Sequence, residues 1–283
     1  MISAEAVPRL LKDFSLEMTG KDVAELAEAR PVIPAGTKVN ITYLGTEGFD
    51  VRLRAAAAVK EAGFQPIPHI AARRLTSRSE LERYLAALQR LNASAHVFVV
   101  GGDPATPEGP YDSALALIES GLLGRAGVRS VGISGYPDGH PGIPAARLWT
   151  ALDDKAAALA AQGLAGSITT QFGFDVDRVV AWLTQLRQRG INLPVRIGVP
   201  GPAGIRRLLS YATRFGVSAS AGIARKFGFS LTNLLGTVGP EAFVTELAQR
   251  STTADLGEVL VHFYTFGGLR ATAGWVHEHG ATR

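Results

Sequence analysis

Apolar and polar positions along this chain fall into eight short β-like runs separated by stretches with helical spacing. The runs are Phe14–Thr19, Lys38–Leu44, Gln65–Ala71, His96–Val100, Val128–Ser134, Gly166–Gln171, Pro194–Val199 and Val259–Thr265. Most are rich in Val and Ile and bounded by Gly or Pro, as buried parallel strands should be. Between them the period changes. Asp50 to Ala62 is Ala-rich and closes at Gly63. Ser77 and Glu80 have capping-box spacing, followed by the stripe Leu81, Tyr84, Leu85 and Leu88. Asp175 can cap a helix whose stripe is Val176, Val179, Val180, Leu183 and Leu186, with Gly190 as the stop.

Eight strands alternating with helices over 283 residues predict a (β/α)8 barrel in a single domain, residues 1–283. An open doubly wound sheet is the runner-up, but no Gly-x-Gly-x-x-Gly follows an early strand. The interval from Val199 to Val259 is too long for one unit. It holds patterns at Ile205–Phe215, Ala219–Phe227 and Gly239–Gln249, so extra helices are expected between strands seven and eight.

Composition narrows the class. Hydrophobic residues make up 46% and charged residues 19%, a globular balance with an ample core. Cysteine is absent, which removes disulfides, thiolate metal sites and a Cys nucleophile; a reducing cytosol is the simplest fit. No apolar run approaches about 18 residues, so no membrane span is expected. The first residues lack a signal peptide's pattern. The formal charge is +4. Arg73, Arg74, Arg78 and Arg83 form the densest basic cluster, read as a solvated helix face or as an attraction for a polyanionic small molecule. No aromatics are interleaved with it, which argues against nucleic acid.

In such a barrel the C-terminal strand ends carry the chemistry. Those ends offer Glu17, Thr42 with Tyr43, His69, the turn Gly101-Gly102-Asp103, the loop Tyr136-Pro137-Asp138-Gly139-His140, Gln171, and His262 with Tyr264 and Thr265. Glu17 between Leu16 and Met18 sits half in an apolar setting. A carboxyl there is either raised in pKa, as suits a general acid, or bonded to a neighbouring Lys or Arg. His69 between Pro68 and Ile70 is more often a satisfied core histidine than a ligand. Gly101-Gly102 lets backbone approach a flat or phosphorylated ligand, as any tight turn would. No metal constellation stands out: His277-Glu278-His279 reads as solvated. No Gly-x-Ser-x-Gly elbow is present.

Taken in order, Ser15-Leu16-Glu17, Val39-Asn40-Ile41-Thr42-Tyr43, Pro68-His69, Gly102-Asp103-Pro104, Tyr136 to Pro141, Ile168 to Asp175 and His262-Phe263-Tyr264-Thr265 resemble the methylenetetrahydrofolate reductase family of bacterial flavoproteins. The resemblance implies a barrel that binds FAD at its mouth. Such a protein moves hydride from NAD(P)H through flavin to methylenetetrahydrofolate, or the reverse. It makes Glu17 the general acid, has Asp103 tune flavin and pterin, and has Gln171 bond the pterin. Ile205 and Tyr264 join the substrate site. Thr42, His69, Gly101, Gly102, Asp103, Tyr111, Tyr136, His140 and Lys155 line the FAD site, with Lys155 on its phosphates. Gly101 stands where the family usually carries Arg. Tetrahydrofolate derivatives are the implied partners, and the resemblance allows a homo-oligomer. The rival readings are a flavin-free folate oxidoreductase of the same fold and a non-catalytic folate or flavin binder.

Overall fold

The structure is a computed structural model that describes residues 6–217 and 236–280. Eight parallel strands close into a barrel: β1 (Ser15–Met18), β2 (Lys38–Ile41), β3 (Gln65–Ala71), β4 (His96–Val100), β5 (Ser130–Gly135), β6 (Ala165–Phe172), β7 (Val195–Pro200) and β8 (Val259–Tyr264). Each strand pairs with its neighbour in sequence, and β1 closes the ring against β8. Helices α1 (Ala6–Leu11), α2 (Val23–Ala29), α3 (Phe49–Glu61), α4 (Arg78–Arg90), α5 (Ala114–Glu119), α6 (Leu122–Arg125), α7 (Ala145–Ala161), α8 (Val176–Gln188), α9 (Ile205–Phe215), α10 (Glu241–Thr253) and α11 (Leu269–Gly280) accompany the strands. The (β/α)8 expectation holds.

Local signals account for much of this. The Ser77 hydroxyl caps α4 by accepting from the Glu80 N–H at 3.1 Å. The return bond of the box is displaced by one residue: the Glu80 carboxylate accepts from Thr76, at 2.8 Å from its N–H and 2.7 Å from its hydroxyl. Asp175 caps α8 by accepting from the Asp177 N–H at 3.0 Å. Gly190, just past α8, has φ +78°, which a side chain would oppose. The predicted stripes of α4 and α8 are buried.

Strand β2 ends at Ile41 rather than Leu44; Thr42 just beyond it still donates its N–H to the Met18 carbonyl at 2.8 Å, and its hydroxyl bonds Glu17. Between β7 and β8 the chain adds α9, α10 and a two-stranded antiparallel ribbon, Ala203–Gly204 with Thr237–Val238. The expected pattern at Ala219–Phe227 lies outside the described residues. Among the described residues, no helix is long and apolar enough to cross a membrane.

The barrel interior is unusually polar for this fold, whose inner layers are mostly Val, Ile and Leu. Its floor is an ion cluster. Asp13, just before β1, accepts from Lys38 Nζ at 2.6 and 2.7 Å and from a guanidinium nitrogen of Arg196 at 2.6 Å. A second Arg196 nitrogen donates to the Asp13 carbonyl. Above it, Gln65 pairs with His96 at 3.0 Å. The Phe98 ring fills the space over Gly132, where any Cβ would collide with it.

Candidate active site at the barrel mouth

Glu17 is the centre of the mouth. Its side chain is 16% exposed. Thr42 Oγ1 donates to Glu17 Oε1 at 2.6 Å, and His262 Nε2 lies 2.9 Å from Oε2. Glu17 and His262 belong to opposite ends of the chain, joined because β1 and β8 are barrel neighbours. A carboxylate accepts only, so His262 carries its proton on Nε2. Nδ1 is then the acceptor, and the buried Ser15 hydroxyl donates to it at 2.8 Å. Ser15, His262 and Glu17 thus form one hydrogen-bonded line from barrel interior to mouth.

This setting decides between the two readings of Glu17, and neither survives as written. Its partner is a histidine rather than Lys or Arg. Burial pushes its carboxyl up, but the hydrogen bonds from His262 and Thr42 hold it below the usual value. Glu17 rests as a carboxylate, not as a stored acid.

His69 closes the other side. Its Nε2 accepts from the Asn40 amide at 3.2 Å and lies 4.0 Å from Glu17 Oε2. Burial lowers the imidazole to about 4, against the pull of Glu17. At neutral pH it is an uncharged acceptor, and the hydrogen bonds from His262 and Thr42 hold Glu17 ionised without it.

Across the barrel, β6 carries an irregularity between Thr169 and Phe172. Such a bulge re-aims side chains. Thr170 Oγ1 accepts from the Gly198 N–H at 2.8 Å and donates to the Gln171 carbonyl at 2.9 Å. The Tyr264 hydroxyl donates to the Thr170 carbonyl at 3.1 Å. Burial, Glu17 and Tyr136 push the Tyr264 phenol far up, so it stays protonated. Gln171 is left with a buried amide nitrogen that has no partner. An unpaired buried donor is costly and calls for an acceptor.

Aromatic rings roof the same end. Tyr211 stacks on Phe266 with centroids 4.1 Å apart, and Tyr264 lies 5.7 Å from Phe266 at 26°. Of the other sequence candidates, Tyr136 reaches this end and the rest sit elsewhere. Asp103 is exposed and gripped by Arg74, with bonds of 2.8 and 2.9 Å. Ile205 is buried in the core at 3% exposure and offers no surface for stacking. Tyr111 is likewise buried. Tyr136 lies near Tyr264, its phenol raised by burial. His140 is exposed and stands edge-on to Tyr136. Lys155 is on the buried face of α7, lowered to about 8 by burial and without an anionic partner among the described residues. Gly101 has open space around its Cα, and Gly102 needs its positive φ of +98°.

These placements bear on FAD. The Arg73 guanidinium donates to the carbonyls of Pro104, Ala105 and Asp112. Arg74 is held by Asp103 and Glu108. Both rim cations are occupied, and Lys155 is sunk in a helix face. These residues, as placed, do not fit the diphosphate of FAD. In the rest of the basic cluster, on the exposed face of α4, Arg78 pairs with Glu82 and Arg83 bonds the Ser79 hydroxyl.

The sequence motifs give Ser15 and Asn40 no role of their own. A polar residue on every second position of a buried strand is the signal that finds them: Ser15 and Glu17, Asn40 and Thr42, His262 and Tyr264. His279 is not simply solvated: it stacks on Trp275 at 4.3 Å. Among the described residues, no group of three or more His, Asp or Glu could hold a metal.

No family model matches the chain. Among solved structures it is similar to the dihydropteroate synthase of Thermus thermophilus, at 14% identity and TM-score 0.50, over 96% of this chain and 95% of that one. It is similar also to a thermostable aldo-keto reductase in complex with the inhibitor epalrestat, at 15% identity and TM-score 0.50, over 95% of this chain and 92% of that one. At this identity the likeness is one of fold, in agreement with the closed barrel.

Proposed function

We propose that the protein is an oxidoreductase of folate-bound one-carbon units, interconverting 5,10-methylenetetrahydrofolate and 5-methyltetrahydrofolate. The shared barrel does not choose this activity, because one fold serves many chemistries. The carrying observation is the pairing of an ionised Glu17, backed by His262 and Ser15, with the orphaned amide of Gln171 across the same mouth. The motifs that resemble the methylenetetrahydrofolate reductase family supply these residues to the mouth and leave others outside it.

In the reducing direction, the C–N10 bond of the five-membered ring breaks and leaves an iminium at N5. A hydride then adds to the methylene carbon, and N10 gains a proton. The Glu17 carboxylate stabilises the iminium cation electrostatically. The proton for N10 comes from solvent by way of Glu17, which the hydrogen bonds from His262 and Thr42 hold in place at the mouth. Gln171 donates to a pterin acceptor and fixes the ring. The roof of Tyr211, Phe266 and Tyr264 keeps water from the hydride path.

The hydride donor divides two readings. The family resemblance supports FAD reduced by NAD(P)H. The occupied rim arginines leave no firm grip for a resident flavin diphosphate, which leaves room for a reduced nicotinamide that binds and departs in each turnover and delivers hydride directly. An absorbance spectrum of the purified protein separates them. Bands near roughly 370 and 450 nm, released as FAD on denaturation, establish the flavin reading. A colourless protein that oxidises NADH with methylenetetrahydrofolate establishes the direct one. A protein that turns over neither folate with any donor overturns the assignment.

A further inference from the structure

Strand β6 carries one residue more than its neighbour can match. From Thr169 opposite Arg196 to Phe172 opposite Gly198, β6 advances three residues while β7 advances two. The extra residue falls within Thr170–Gln171. Such an insertion takes backbone groups of the facing strand away from their ladder partners, and buried groups need replacements. Here a side chain supplies one. The Thr170 hydroxyl accepts from the Gly198 N–H at 2.8 Å and donates to the Gln171 carbonyl at 2.9 Å. Thr170 is 1% exposed, so water does not compete for these bonds. Just beyond, the two strands meet again, with the Gly173 N–H donating to the Gly198 carbonyl at 3.2 Å.

The bulge is held from both neighbouring surfaces. On β7, the bulged backbone rests against Gly198. A Cβ there would stand 2.4 Å from the Thr170 carbonyl oxygen and 2.6 Å from that of Gln171. Glycine in a strand interior weakens it and marks a close approach of another backbone. From β8, the Tyr264 hydroxyl donates to the Thr170 carbonyl at 3.1 Å. Both polar ends of Thr170 are thus tied. The contrast with Gln171 is sharp: its carbonyl is fixed by Thr170, while its amide nitrogen is buried with no partner. A glutamine on a mobile backbone would turn that donor to a carbonyl or to water. Fixing the backbone restricts the acceptors it can reach.

We propose that Thr170 is a positioning residue for ligand binding, its hydroxyl locking the β6 bulge so that the Gln171 amide is aimed at an acceptor on the bound ring. Thr170 acts through Gln171 and touches no ligand itself. That the ring is a pterin rests on the folate reading above; the aiming of Gln171 does not.

Thr170→Val keeps the shape and deletes the hydroxyl, while Thr170→Ser keeps the hydroxyl. NMR spectra of protein carrying isotope-labelled glutamine report the Gln171 side-chain amide, identified by its absence from Gln171→Ala. Without ligand, that amide should exchange with water about tenfold or more faster in Thr170→Val than in wild type, and at the wild-type rate in Thr170→Ser. Equal exchange in Thr170→Val and wild type overturns the proposal. Titration with methyltetrahydrofolate then closes a double-mutant cycle. Thr170→Val should raise Kd about five- to thirtyfold in the wild-type background, and about twofold or less on top of Gln171→Ala. Equal losses in both backgrounds mean that Thr170 acts without Gln171, and overturn the proposal too. Should Thr170→Val fail to fold, Thr170→Ala, which leaves room for a water at the Gly198 N–H, replaces it in both measurements. A wild-type protein that binds no folate, with a Gln171 amide that still responds to loss of the Thr170 hydroxyl, keeps the positioning role and removes the folate reading.

Discussion

The two ends of the barrel are built from similar residues and differ in what they leave unpaired. At the floor, the Asp13 carboxylate takes bonds from Lys38 and Arg196, and Gln65 meets His96. At the mouth, Glu17 is equally well supplied, by Thr42 and His262. Yet Gln171 keeps a buried amide with no acceptor, and His69 is an uncharged imidazole close to a carboxylate. A polar cluster whose members satisfy one another stabilises the fold. One that holds an unsatisfied donor under a roof of aromatic rings has its last partner in a ligand. The floor of such barrels bears on stability and the mouth on chemistry.

The sharpest way to break that contrast is Glu17→Gln. The amide keeps the shape and loses the charge. Turnover between methylene- and methyltetrahydrofolate should fall by about 10²–10⁴-fold, the usual worth of a positioned proton-transfer group. Folate affinity and the thermal midpoint should move little. Near-normal turnover in this variant removes Glu17 from the reaction.

Acid titration distinguishes the ends by the pH at which each fails. The unfolded His69 imidazole takes a proton near 6.5, and the folded one near about 4. Between those values the unfolded state binds more protons. The His69 contribution is therefore complete above 6.5 and is lost as pH falls to 4, on the order of 3 kcal/mol. Asp13 is held below the usual 3.8 by Lys38 and Arg196, against its own burial. Its contribution persists through that window and is lost only as pH falls further. Asp138, raised by burial to about 6, runs the opposite way between 3.8 and 6. Comparing wild type with His69→Gln by denaturant unfolding at several pH values isolates the His69 slope. Parallel pH profiles for the two proteins would mean that His69 is protonated in the fold.

Asp13→Ala tests the floor directly. Arg196, at 7% exposure, would lose the carboxylate that neutralises it. Half-exposed Asp13 lets water in, so the loss should be about 2–3 kcal/mol, below that of a fully buried pair. Activity per folded molecule should be retained. A loss of kcat without a loss of stability would mean that the floor communicates with the mouth.

The sequence exposes the contrast unevenly. Strands with Val and Ile between Gly and Pro stand out, and so do the Ser77 and Asp175 caps, because each signal is local. The partner of Glu17 is 245 residues away and depends on barrel closure. Whether a residue faces ligand or core is a tertiary outcome, and Ile205, Tyr111 and Lys155 all turn inward. Arg196 inside an otherwise apolar run is the mark of a buried charge, though not of its partner. The bulge that sets Gln171 apart from its strand has no sequence signature at Thr169–Phe172.

Gln171→Ala makes the smallest change and bears most directly on what the mouth awaits. In the free protein the wild-type amide nitrogen is buried without a partner, so removing it should leave the thermal midpoint unchanged or slightly raised. In the complex the same deletion leaves a pterin acceptor unpaired. Binding of methyltetrahydrofolate should weaken by roughly 1–2 kcal/mol, about five- to thirtyfold in Kd. The two effects have opposite signs only if the orphan is satisfied by ligand. A variant that loses stability and keeps its affinity would place Gln171 with the self-sufficient residues of the floor.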